Sequence, residues 1–231
     1  MFIRRVCYNG YVFPLEIRNH FLYMQVQFII DKKYDRQFVR GKKSLQFFTA
    51  QYKVSRFFME ATLKLYQKSW DEINDAFSNY IARETGYNWF YDAYKCVLSP
   101  VHVGIANWGR EPIIVRAWQE NSYTQRRITA HELVISHYFE IYRRHYAHNY
   151  PLTDGQVWAL AEIAAFALTS LPRDIRQFWP WDSSGYYTDH NYPQIVPLQK
   201  KLKNSFLKKK NFEEYMKRGF ALVKKFSDLK P

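Results

Sequence analysis

The sequence predicts an α+β fold: a small antiparallel or mixed sheet packed on a helix that carries a His-Glu pair and on a following helix, with extra helices at the N- and C-terminal ends. Three observations lead there. Apolar residues recur at three- and four-residue spacing from about Lys43 to Gln67, as in a helix with one buried face. Short β-branched and aromatic runs, YKCVLS, HVGIANW and EPIIVRAW, then crowd into residues 94–118 and are parted by Pro100, Gly109 and Pro112. From about Gln125 helical spacing returns and holds to Tyr146.

Taken in order, residues 1–20 carry little periodicity and read as a leader of unassigned role. Phe21–Ile30, FLYMQVQFII, is aromatic and β-branched with partial alternation, which suits a strand. After the helix over 43–67, Ser69-Trp70-Asp71-Glu72 has the form of a capping box, in which the Ser hydroxyl accepts a backbone N–H and the Glu reaches back. It predicts a new helix running to about Glu84 and closed by Gly86. The β-rich runs give two or three strands, antiparallel through tight turns. Thr153-Asp154-Gly155-Gln156 is a second capping box, opening a helix through WALAEIAAFALTS that ends before Pro172. Residues 173–197 read as an irregular, ordered wrap, and the Lys-rich stretch from about 198 to 227 as one or two amphipathic helices. The chain thus divides into a leader (1–20), a main domain (21–197) and a basic helical segment (198–231).

With 231 residues, 47% hydrophobic and 19% aromatic, the chain can bury a substantial core, which excludes disorder as the default. No apolar run approaches the length of a membrane span, and the first residues lack the apolar stretch of a secretory signal, so the expected location is cytoplasmic. Cys7 and Cys96 have no C-x-x-C spacing and read as ordinary buried thiols. The formal charge is +13, and +8 of it lies from Lys200 onward, where eleven Lys/Arg face three acids. Such a segment could bind nucleic acid, but helical spacing of Phe206, Phe212, Tyr215, Phe220 and Phe226 among the lysines favours a helix with aromatics inside and charge outside.

The chemistry concentrates in His131-Glu132-Leu133-Val134-Ile135. In an H-E-x-x-H pattern, residues four apart share one helix face, so two imidazoles meet one zinc while the intervening Glu reaches its water. Together with the preceding strand run IIVRAW, Thr129-Ala130 before the histidine, and Glu162 in the capped helix 31 residues on, this segment resembles the zincin-like metallopeptidases of gluzincin type, in particular their small bacterial forms. The resemblance spans roughly residues 70–172. It implies a zinc cofactor, a peptide or protein substrate, His131 and Glu162 as metal ligands and Glu132 as general base. Ile135 stands where the second histidine belongs, so the resemblance implies a degenerate metal site, in either a metal-dependent peptidase with an altered ligand set or a catalytically silent relative.

Helical arithmetic weighs substitutes for the missing ligand. At about 100° per residue, position 135 lies about 40° from His131 and position 137 about 120° away, so His137 joins the metal face only through a π-bulge. Glu162 is alone in an apolar helix and needs a partner, which His131 or Arg127 could supply without any metal. His145 and His148 suit an exposed helix end, and His102 a strand residue. The alternative function is a noncatalytic basic protein that binds nucleic acid through its C-terminal segment.

Overall fold

The computed structural model describes residues 24–106, 108, 110–179, 187–226 and 228–230; the leader over 1–20 lies outside them. Among the described residues a four-stranded mixed sheet and seven α-helices make an α+β fold with extra helices at both ends. The strands are β1 (Gln25–Ile29), β2 (Ala93–Ser99), β3 (Gly104–Ala106) and β4 (Ile113–Ala117), in spatial order β1-β2-β4-β3. The helices are α1 (Lys32–Arg36), α2 (Lys42–Asp71), α3 (Asn74–Thr85), α4 (Thr124–Ile141), α5 (Asp154–Leu168), α6 (Val196–Leu207) and α7 (Phe212–Val223).

The sheet is mixed, one of the two arrangements the sequence allows, and the antiparallel turns expected over residues 94–118 hold only for β3 and β4. β1 pairs with β2 and β2 with β4 in parallel, with Val26 opposite Tyr94 and Cys96 opposite Ile114; β3 alone runs antiparallel, with Ile105 opposite Val115 on β4. The reason lies in burial. Cys96-Val97-Leu98 and Ile114-Val115 are continuous buried runs, as strands covered on both faces require, and such strands favour parallel pairing with helical crossovers. Helices α1 to α3 supply the crossover between β1 and β2.

Two long helices frame this sheet. On α2, the Gln67 amide donates to the Val26 carbonyl (2.9 Å) and accepts from the Phe28 N–H (2.8 Å), which occupies polar groups on edge strand β1. The Ser69–Glu72 capping box does not form. α2 runs through it to Asp71, because tertiary partners claim both ends of the box: the Ser69 hydroxyl donates to the Ser122 carbonyl and accepts from Arg126 Nε, and Glu72 pairs with the Arg126 guanidinium. α3 then ends as expected on Gly86, whose φ of 74° is the left-handed conformation a glycine allows.

The second capping box is complete. Thr153 Oγ1 accepts from the Gln156 N–H (3.3 Å) and Gln156 Oε1 accepts from the Thr153 N–H (3.1 Å), starting α5 in register. α5 is buried along nearly its whole length, and Ala159, Ala161, Ala164 and Ala165 leave room for close packing against α4. Helices α6 and α7 turn Leu198, Leu202, Phe206, Phe212, Tyr215 and Phe220 into the same core, so these aromatics are packing residues with lysines around them. Among the described residues no helix is long and apolar enough to cross a membrane.

His137 sits deep in this core and is no part of the metal face. The π-helical turn lies beyond it, at Tyr142–Tyr146, and does not re-aim it. Its ring packs on Trp89 (centroids 4.6 Å) and Phe90 (5.4 Å), and burial pushes its pKa down to about 3. The unfolded chain, with an ordinary histidine near 6.5, therefore takes up a proton that the folded chain refuses. Stability is full above about pH 6.5 and falls as pH drops toward 3; at pH 4 the loss from this group is about 3 kcal/mol. Replacing His137 with Phe is expected to shrink the difference between urea midpoints at pH 7 and pH 4. An unchanged difference would assign the acid sensitivity to other groups.

Candidate metal centre

Three side chains from three separate segments converge in the lining of a cleft of about 680 Å³. His131 projects from the second turn of α4, and Glu162 lies midway along α5. His190 comes from the irregular connection ahead of α6. His131 Nε2 lies 3.0 Å from Glu162 Oε2, and His190 Nε2 lies 3.4 Å from the same oxygen. Each residue offers one donor atom, and the three atoms lie within 4.8 Å of one another.

The surroundings orient these groups. The Trp158 indole N–H donates to Glu162 Oε1 (3.0 Å), which leaves Oε2 turned toward the two imidazoles. Phe166, one turn beyond Glu162, meets both histidine rings edge-on, and Tyr192 stacks on His190 with centroids 5.2 Å apart. The loop bearing His190 is pinned to α6 by Gln199, which accepts from the His190 N–H (3.0 Å) and donates to the Thr188 carbonyl (2.9 Å). Burial alone would raise the Glu162 pKa, but hydrogen bonds from His131 and His190 overcome it and hold the carboxyl down at about 2. It stands ready as an anion.

A tetrahedral ion bound at about 2.0 to 2.1 Å needs donors roughly 3.3 Å apart. The two separations from Glu162 Oε2, 3.0 and 3.4 Å, fit that spacing. Two imidazoles and one carboxylate also make a ligand set suited to zinc. Two adjustments are required. The Nε2 protons that His131 and His190 donate to Glu162 have to move to Nδ1 or leave. His190 Nδ1 accepts a 3.3 Å hydrogen bond from the Tyr192 N–H, whereas an imidazole that ligates through Nε2 holds its proton on Nδ1, so this contact has to open when an ion binds.

Glu132, beside His131, lines the same cleft, and burial pushes its pKa up to about 7. It reaches the sheet at Gly104, the first residue of edge strand β3: a Cβ built there would lie 2.3 Å from Glu132 Oε1. Only glycine admits this approach. The buried Arg116 on β4 fixes the neighbourhood, pairing with Glu120 (2.6 Å) and donating to the Val103 carbonyl. Ile135 also faces the cleft, next to Phe139, on whose ring Trp108 stacks with centroids 4.7 Å apart.

His131, Glu132 and Glu162, all singled out from sequence, thus meet in one place, and His137 does not. Glu162 takes its partners from His131, His190 and Trp158. His102 is held by Asp35 (2.7 Å), away from the cleft. His190 was missed. Its only signal is a lone histidine in the polar run Thr188-Asp189-His190-Asn191 of a segment too irregular to carry a spacing rule. No protein family, curated protein or solved structure matches the chain.

Proposed function

We propose that the chain is a zincin-like, gluzincin-type hydrolase that cleaves peptide bonds, with zinc held by His131, Glu162 and His190 and with Glu132 as general base. The convergence of those three donors carries the reading, because His190 makes up the ligand lost at Ile135 and brings the count to the three protein ligands of a catalytic zinc. Degeneracy of the sequence motif then need not mean degeneracy of the site.

When bound, zinc supplies Lewis acidity, which polarises a carbonyl and makes water a better nucleophile. The chain's own residues do the rest. Glu132 accepts the proton of the attacking water and returns it to the leaving amine. Edge strand β3, lying along the cleft, offers backbone groups to an extended peptide. Trp158 holds the Glu162 carboxylate in place through the Oε1 hydrogen bond.

Titration of metal-free protein with Zn²⁺ at neutral pH is expected to saturate at one equivalent. The loaded protein is expected to cleave unfolded casein, to stop on addition of 1,10-phenanthroline and to recover with excess zinc. Absence of stoichiometric binding would reduce the His131–Glu162–His190 cluster to a structural tie between helices and loop.

A further inference from the structure

The longest helix carries an apolar stripe that the described chain leaves mostly open, with Phe58 stacked on Trp118 (centroids 5.9 Å). On α2, Phe57 is 75% exposed, Val54 64%, Phe47 and Leu65 58% and Phe58 55%, while Phe48, Tyr52, Met59 and Tyr66 of the same helix face the core. Phe47, Gln51, Val54, Phe58, Ala61 and Leu65 follow one another at alternating steps of four and three, the spacing of a helix that packs along its length against another helix. At about 200 Å² for a full aromatic side chain, the five large residues expose roughly 600 Å². That is at the upper end of the largest apolar patch on ordinary monomers, and with a polar rim it approaches the roughly 800 Å² per partner of a stable interface.

We propose that this stripe is a homodimer interface, in which α2 of one copy packs antiparallel on α2 of another about a two-fold axis near residue 56. The sequence is self-complementary in that register. Phe47 falls opposite Leu65, Gln51 opposite Ala61 and Val54 opposite Phe58, so each layer sets a larger side chain against a smaller one, and the axis repeats all three. Charge selects the direction. Antiparallel packing brings Lys43 near Asp71 at both ends of the contact, whereas parallel packing would set each charge against its own kind. The single polar layer, Gln51, fixes the register.

Light scattering of the full chain over a concentration series is expected to give twice the 28.0 kDa mass of one chain. Val54→Glu, an exposed position on a helix that does not need it for its core, is expected to raise the dimer dissociation constant by roughly 100-fold or more by forcing two charges into the contact. In a Cys7→Ser background, a Gln51→Cys chain mixed with an Ala61→Cys chain is expected to form an intermolecular disulfide that neither forms alone. A single-chain mass at every concentration overturns the proposal, including the case in which residues 1–23 cover the stripe. A dimer indifferent to Val54→Glu overturns it by placing the contact elsewhere, and cross-linking within either single-cysteine preparation overturns the antiparallel register.

Discussion

Replacing His190 with alanine is expected to lower zinc affinity by on the order of 100-fold or more, since loss of one of the three proposed protein ligands removes more than the 10- to 100-fold typical of a supporting partner. Glu162→Ala should do the same. His137→Phe, by contrast, should bind zinc as the natural protein does, because His137 lies among Trp89 and Phe90 and not in the cleft. The decisive arm is a rescue. Ile135 lines the same cleft one helical turn beyond His131, so His190→Ala combined with Ile135→His is expected to recover tight binding from a ligand pair on α4 alone. Isothermal titration with Zn²⁺ on the four variants reads all of this. If His190→Ala binds as tightly as the natural protein, His190 is not a ligand; if only the rescue fails, position 135 does not project onto the same point.

That rescue also shows why part of the site was legible in the sequence and part was not. His131 and Glu132 sit on one helix and Glu162 on a helix opened by a complete capping box, so local rules place all three: the cap at Thr153 sets where α5 begins, and the 3.6-residue period sets which way its side chains point. His190 obeys no such rule. Its position depends on Gln199 holding a loop against α6, a tertiary contact that leaves no periodic trace. The same distinction separates Thr153 from Ser69. Both begin a capping pattern, but Ser122 and Arg126 lie within reach of Ser69 and draw it away from the helix end. In the sheet, the turn residues Pro100 and Pro112 suggested hairpins, while the unbroken Cys96-Val97-Leu98 and Ile114-Val115 runs already implied burial on both faces and hence parallel neighbours.

Separating metal binding from chemistry requires a change that touches Glu132 and leaves the ligands alone. Glu132→Gln keeps the shape of the side chain but removes the proposed base, and is expected to reduce kcat/KM on a peptide substrate by about 10²- to 10⁴-fold with zinc content unchanged. Gly104→Ala reaches the same carboxylate from outside. Its added Cβ would lie 2.3 Å from Glu132 Oε1 and 3.2 Å from Arg116 Nη1, both side-chain ends, and since Gly104 is not among the glycines with positive φ, the backbone accepts alanine and the Glu132 carboxylate has to leave its position. Turnover should therefore fall while zinc stoichiometry and thermal midpoint stay close to those of the natural protein. The two changes together should cost little more than Glu132→Gln alone, because both act through one group. A fully active Glu132→Gln protein would assign proton transfer to another residue of the cleft, and a Gly104→Ala protein that loses zinc would show that β3 supports the ligands and not the base.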